Sequence, residues 1–303
     1  MHDSLQAIYQ EFLDHMTAEK NASTATITSY ITDFKIFEKF LLIQMIEPGL
    51  QTITTRDLRK YVNYLKLEKE YSNATIRRKI HSLSSFFKFV LEMEYIEKNP
   101  MLPIHAPKLE ERIPVYINEN DLRKLLEAPK KFARYATHIN RDRTMIALLV
   151  YTGGRKSEII HLDWNNVDFK SQVIHIRKGK GKKDREIPLI EPLAIVLLDY
   201  YNERHPAPSD PILVSDNNKR ISSSDFQNLF RRYLSKCGLA NKGYSPHKCR
   251  HAFATLLYQN GVDLLTIQKI LGHSDLNSTK VYTHIIDDHM REEMAKFPVI
   301  VSI

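Results

Sequence analysis

A proline-rich stretch, "KNPMLPIHAPKLEERIPVY" (residues 98–116), divides the sequence and decides how its fold is organised. Its four prolines are Pro100, Pro103, Pro107 and Pro114. Proline removes a backbone donor and disfavours helix in the residue before it, so the stretch is expected to be extended. We therefore predict a first domain over residues 1–100, a linker over 101–114 and a second domain over 115–303.

The part before the linker has the pattern of four amphipathic helices. Apolar residues recur there at helical spacing, and residues that cap helices precede two of the segments, Ser23 or Thr24 in one and Ser72 or Asn73 in another. Helices of this kind bury their apolar faces against one another, so the sequence predicts a helical bundle.

Three consecutive cations, Arg77, Arg78 and Lys79, lie in the first turns of the fourth predicted helix. Positive charge at a helix N-terminus opposes the helix dipole, so we expect no local stabilising role. Two interpretations stay open, a solvated helix face and contact with phosphate groups.

The part after the linker begins with helices and then changes period. The apolar residues of "VDFKSQVIHIRKGKGKKDREIPL" (residues 167–189) flank a tip rich in glycine and lysine, which predicts two strands joined by a hairpin turn. Helices then resume, so the predicted fold is mainly α with a small β-sheet. Six of the nine residues from 177 to 185 are basic, which favours a polyanionic partner over an ordinary solvated loop.

Composition narrows the class of protein. The 303 residues are 43% hydrophobic and 26% charged, as in soluble globular proteins, and no long apolar run or signal peptide is present, so we expect a cytoplasmic protein. Cys237 and Cys249 are too few for a disulfide framework and are expected to be reduced structural thiols. The net charge of +8 and the pI near 9.2 favour nucleic acid as a partner.

Two motifs place arginine at helix starts. In "TGGRKSEII" (residues 152–160), Arg155 lies between two helices and either points inward or simply pairs with Glu158. In "SPHKCRHAFATLL" (residues 245–257), His247 and Arg250 share one helical face and His251 follows.

Further along, Gly272 is a natural stop for a helix, His273 follows it, and Tyr282 falls just inside the next helix. A single tyrosine at such a position is usually a core residue. Taken with the arginines, the imidazoles and a lysine on the hairpin, however, it completes the set that metal-free phosphoryl transfer needs. No comparable group of carboxylates is present, which argues against a two-metal mechanism.

Five motifs in order carry a resemblance to a known family. They are "TGGR", "GKGKKDREIP", "HKCRH", "LGH" and "STKVYTH". With them the sequence resembles the tyrosine recombinases of the phage-integrase family, above all the Xer-type enzymes and compact integrases of mobile elements. The resemblance implies an N-terminal helical core-binding bundle and an α+β catalytic domain with a C-terminal tail, which in similar recombinases docks on a neighbouring protomer.

The resemblance also implies roles for individual residues. Tyr282 would attack a DNA phosphate to form a 3′-phosphotyrosine, Arg155 and Arg250 would bind its oxygens, and Lys180 would protonate the leaving 5′-oxygen. The other implied site residues are His247 for proton transfer, His273 for a further oxygen contact and His251 for support. The implied DNA contacts are Arg77, Arg78, Lys79, Lys178, Lys182 and Lys183.

No metal or other cofactor is implied, because the phosphodiester energy is kept in the protein–DNA linkage. The implied partner is double-stranded DNA with a specific recombination site. A homotetramer would bind it on paired sites, with or without a second recombinase or accessory protein. No membrane partner is implied. Two alternatives remain, a type IB topoisomerase-like strand transferase and a catalytically silent, site-specific DNA-binding accessory protein.

Overall fold

The computed structural model describes residues 4–109, 116–177 and 184–272. The chain forms two compact units, residues 1–112 and 113–303. Within the described ranges, no helix has the length and apolar character needed to cross a bilayer.

The first unit is helical, as the sequence predicts. Its helices are α1 (Leu5–Ala18), α2 (Thr24–Ile43), α3 (Thr55–Asn63) and α4 (Asn73–Glu92), and α3 continues into a π-helical turn, Tyr64–Glu68. Each α-helix begins after a serine or threonine whose hydroxyl accepts a backbone N–H of the first turn, which satisfies one of the donors left unpaired there. The predicted caps Ser23 and Ser72 are both among them.

Aromatic side chains fill the core of this unit. The ring of Tyr9 stacks on that of Phe34 with 3.5 Å between centroids, and Phe86 meets both rings edge-on. Met101, which follows α4 in the proline-rich stretch, is also buried in this core. The bundle therefore has a continuous apolar interior of its own.

The second unit combines helices with a small sheet, which confirms the predicted fold class. The helices are α5 (Glu119–Phe132), α6 (Ile139–Thr152), α7 (Lys156–Ile160), α8 (Glu191–Arg204), α9 (Ser223–Lys236), α10 (Pro246–Gln259) and α11 (Leu264–Leu271). The strands are β1 (Val167–Asp168), β2 (Val173–Ile176) and β3 (Arg185–Pro188).

The sheet is antiparallel in the order β1-β2-β3. Ile174 pairs with Ile187, and Ile176 pairs with Arg185 at the end of β2 nearest the hairpin tip. The two predicted strands are therefore present, whereas the two-residue strand β1 is too short to have a periodicity of its own.

The segment that contains "HKCRH" forms two helices. α10 ends before Asn260 and Gly261, a dipeptide that favours turns, and α11 begins after Asp263, whose carboxylate caps it. Gly272 ends α11 with φ of 64°, as the sequence predicts. This end of α11 lies at the candidate site.

Candidate active site

The "TGGR" turn begins the site. α6 ends at Thr152, and Gly153 follows with φ of 57°, in the left-handed region. A Cβ on Gly153 would lie 2.5 Å from Cδ1 of Phe253 and 2.9 Å from Cδ2 of Leu271. Only glycine suits this turn, because the backbone conformation and the close approach of α10 and α11 both exclude a side chain.

Arg155 comes next, as the N-cap residue of α7. Its Nη1 donates to Oε1 of Glu158 at 2.9 Å, and its backbone N–H donates to Oε2 of the same carboxylate at 2.8 Å. The pairing that the sequence left as the alternative is thus present. The Arg155 side chain is nevertheless 36% exposed, so the guanidinium is accessible from solvent.

Arg250 lies on the first turns of α10 and is only 6% exposed. Its Nη1 donates to the carbonyl oxygen of Gly153 at 2.7 Å, and its Nη2 donates to that of Leu271, also at 2.7 Å. These carbonyls end α6 and α11, where a helix dipole favours a cation. One guanidinium therefore joins the "TGGR" turn to the end of α11, two residues before His273.

His247 is exposed on the first turn of α10. Partial desolvation, with the charges of Arg250 and Arg155, lowers the pKa of its imidazole below the usual 6.5. His251 is half-buried, and burial together with the charge of Lys248 lowers its pKa too. Both imidazoles are therefore mainly neutral at pH 7. The pKa of His247 is lowered by the charges of both arginines, so His247 lies within the electrostatic range of both.

Arg185 lies at the start of β3 and differs from what the sequence indicated. The sequence pattern predicts a solvent-exposed cation of the hairpin, yet the Arg185 side chain is only 6% exposed. Its Nη1 and Nη2 donate to Oε1 and Oε2 of Glu158 at 3.0 and 2.7 Å, and its Nε donates to the carbonyl oxygen of Ile270 at 2.8 Å. The sequence pattern missed this contact because it joins residues 27 positions apart.

Glu158 is consequently shared by two arginines. Burial opposes its ionisation, but the hydrogen bonds and charges of Arg185 and Arg155 outweigh burial and lower the pKa of Glu158 to about 2. Glu158 is therefore ionised at neutral pH.

One of the three cations at the start of α4, Lys79, occupies a different environment from the one expected. Lys79 is 2% exposed, and its Nζ lies 2.7 Å from Oδ1 of Asp33, a buried residue of α2. Arg78 Nη2 donates to the same oxygen at 2.8 Å. Lys79 supplies the countercharge that the buried carboxylate of Asp33 needs, so its role is structural. Neither of the two interpretations, a solvated helix face or contact with phosphate, fits this buried ammonium. Arg77 is partly exposed.

Six of the predicted site residues lie outside the described residues. They are Lys178, Lys180, Lys182, Lys183, His273 and Tyr282. Cys249 lies between the site residues of α10 and is buried, which raises the pKa of its thiol to about 12, so it packs as a neutral thiol. Within the described ranges, no three His, Cys, Asp or Glu side chains are grouped so as to hold a metal ion.

Two family comparisons match this architecture. Residues 116–289 match the phage integrase family, and residues 9–93 match the N-terminal SAM-like domain of phage integrases. The chain therefore belongs to the phage integrase family.

Similar proteins extend over almost the whole chain. A tyrosine recombinase of Pseudothermotoga lettingae is 33% identical, with 96% of this chain and 98% of that protein covered. The tyrosine recombinase XerC of Oceanobacillus iheyensis is 31% identical, with 97% and 96% covered. A crystal structure of the XerH site-specific recombinase bound to its difH substrate before cleavage is 26% identical, covers 97% of this chain and 84% of that one, and has a TM-score of 0.71.

Proposed function

We propose that this protein is a site-specific DNA recombinase that cuts and rejoins duplex DNA through a 3′-phosphotyrosine at Tyr282. Strands are exchanged through a Holliday junction. The observation that carries the proposal is the pair of hydrogen bonds from Arg250 to Gly153 and Leu271. They bring together three motifs that are far apart in the sequence and leave a second arginine, Arg155, accessible beside them.

Arg155 and Arg250 bind the non-bridging oxygens of the scissile phosphate. A planar guanidinium offers paired donors that suit the negative charge of the transition state better than the point charge of lysine does. His273 follows the end of α11 that Arg250 holds, and it adds a further oxygen contact. These donors stabilise charge that develops as the Tyr282 oxygen attacks.

Two proton transfers accompany the attack. The Tyr282 phenol, with an ordinary pKa of about 10, loses its proton, and the lowered pKa of His247 supports its role as the acceptor because the imidazole is neutral at pH 7. Lys180 protonates the leaving 5′-oxygen, and His251 supports the site next to Arg250. No step needs ATP or a metal ion.

The partner is double-stranded DNA that carries a recombination site. Exchange between two duplexes requires one cut on each of four strands, so we propose a homotetramer on paired sites in the cytoplasm, with or without a second recombinase or accessory protein. Arg77, Arg78, Lys178, Lys182 and Lys183 are the proposed backbone contacts. Lys79 is left out, because its ammonium is buried against Asp33.

A covalent-capture experiment tests the proposal. The binding site is first recovered from a random duplex pool with the whole chain, and nicked duplexes carrying it are then incubated with the protein. We expect a complex that resists SDS, and Tyr282→Phe should abolish it while site binding changes less than about threefold, because only the nucleophilic oxygen is lost. The matched control is Tyr135→Phe, which removes the hydroxyl of an exposed tyrosine in the same unit.

Three outcomes would contradict the proposal. A covalent complex with Tyr282→Phe would place the nucleophile elsewhere, and loss of the complex on addition of EDTA would require a metal. Rejoining of the cut strand only to its original partner, with no recombinant product from paired sites, would favour the topoisomerase-like alternative.

A further inference from the structure

A chain of hydrogen bonds runs from Arg155 to the end of α11. Arg155 binds both oxygens of Glu158, through Nη1 and its backbone N–H. Arg185 binds the same two oxygens with Nη1 and Nη2, and its Nε donates to the carbonyl oxygen of Ile270. Arg185 therefore connects α7, which Arg155 caps, with β3 and α11.

The chain closes on itself through Arg250. The carbonyl oxygen next to that of Ile270, on Leu271, accepts from Arg250 Nη2, and Arg250 Nη1 donates to Gly153, two residues before Arg155. Arg155 and Arg250 thus belong to one closed ring of hydrogen bonds and two short backbone segments, Ile270–Leu271 and Gly153–Arg155, which we call the arginine ring. Arg185 is the member that joins its two halves across 85 residues of sequence.

Charge gives Arg185 a second effect. Arg155 and Glu158 alone form a neutral pair, in which an incoming phosphate would compete with the carboxylate for the guanidinium. Arg185 adds a second positive charge to the same carboxylate, so the three side chains carry a net charge of +1. Because Arg185 and Glu158 are 6% and 9% exposed, water screens this balance little.

We propose that Arg185 is a positioning residue for DNA cleavage: it orients and neutralises Glu158, so that Arg155 is held for the scissile phosphate at a fixed place relative to Arg250. This inference rests on the proposed function. Each of the three guanidinium nitrogens of Arg185 donates to Glu158 or Ile270, so we assign its effect on cleavage to these partners and not to a contact of its own with the phosphate.

The test compares two substrates in single-turnover cleavage. One has the ordinary phosphodiester at the cleavage position mapped from the covalent complex, and the other has a methylphosphonate there, which lacks one negatively charged oxygen. On the phosphodiester, Arg185→Gln should cleave about 100-fold more slowly, as expected of a misplaced catalytic group. Arg185→Lys should cleave about tenfold more slowly, because lysine keeps the positive charge but lacks the planar guanidinium that binds both oxygens of Glu158.

On the methylphosphonate, the cleavage rates of both variants should lie within about threefold of the rate of the unaltered protein, because the negatively charged oxygen that Arg155 would bind has been removed. A purely structural role would slow both substrates equally. A second readout uses the phosphodiester and an Arg155→Ala background. There Arg185→Gln should lower the cleavage rate by less than about threefold, because the effects of two residues that act through one another are not additive.

The matched control is Arg220→Lys. Arg220 also binds a carboxylate, that of Asp163, and a carbonyl oxygen at the end of α7, that of Ile160, but it lies outside the arginine ring. It should cleave both substrates at the unaltered rate.

Equal losses on both substrates, additive losses with Arg155→Ala, or no loss on the phosphodiester would overturn the inference. Unfolding of both Arg185 variants at the assay temperature would overturn it as well, because Arg185 would then be a residue of fold stability. The proposed function fails separately, if the unaltered protein forms no covalent complex or Tyr282→Phe still forms one.

Discussion

At the scale of single residues, Gly153 shows how one position serves both the fold and the site. It ends α6 in the left-handed region, lies against Phe253 and Leu271, and offers its carbonyl oxygen to Arg250. Each role depends on the others, because the carbonyl points at the guanidinium only while the turn keeps this conformation.

We expect Gly153→Ala to lower the free energy of unfolding by about 2–5 kcal/mol. Left-handed backbone costs an L-residue about 1–2 kcal/mol, and the forced contact with Phe253 and Leu271 adds about 1–3 kcal/mol. Urea unfolding followed by the fluorescence of Trp164, which is the chain's single tryptophan and is buried in the same unit, measures the change.

Gly243→Ala is the matched control for that prediction. Gly243 has φ of 66°, and nothing lies within 4 Å of the Cβ it would gain, so alanine there brings the backbone strain without the steric contact. It should cost about 1–2 kcal/mol. Equal losses at the two glycines would show that the close approach of α10 and α11 is unimportant.

At the scale of secondary-structure elements, local sequence patterns predict the features that depend on neighbouring residues alone. The caps Ser23 and Ser72, the stop at Gly272 and the two hairpin strands follow from short-range preferences, so the sequence is sufficient for them. Glu158 and Arg185 lie 27 residues apart in the sequence and meet only through the tertiary fold, and no periodicity carries that information. The sequence motifs supplied Arg155 and Arg250 as candidates and the resemblance to a family implied their roles, but the network that holds them required the structure.

The contact between α2 and α4 is the clearest case of a missed tertiary interaction. Asp33 and Lys79 are both almost fully buried, and Arg78 covers the pair from the surface. We expect Asp33→Asn to lower the free energy of unfolding by about 3–5 kcal/mol, because it leaves the ammonium of Lys79 in the core without a countercharge.

Far-UV circular dichroism during urea unfolding measures this loss, which corresponds to a midpoint shift of roughly 1.5–2.5 M for a slope of about 2 kcal/mol/M. Asp14→Asn is the control, because Asp14 is an exposed carboxylate of α1 in the same unit. A midpoint for Asp33→Asn that equals the midpoint for Asp14→Asn would mean that Lys79 needs no countercharge.

At the scale of the whole molecule, each unit has its own apolar interior. The first is built from the aromatic side chains of α1 to α4, and the second includes the buried face of the sheet. A unit of 112 residues with a continuous core is large enough to fold without disulfides or metals. The proposed chemistry, in contrast, belongs entirely to the second unit, since Arg155, Arg250 and Tyr282 all lie there.

We therefore expect residues 1–112, produced alone, to unfold cooperatively in urea with a free energy of unfolding of about 5–10 kcal/mol. Asp33→Asn should lower the midpoint of this fragment by the same amount as in the whole chain, because both residues of the buried pair lie within it. The fragment should form no covalent complex with the selected duplex, since it lacks Tyr282. A gradual loss of ellipticity without a cooperative transition would show that the bundle depends on the second unit for its fold.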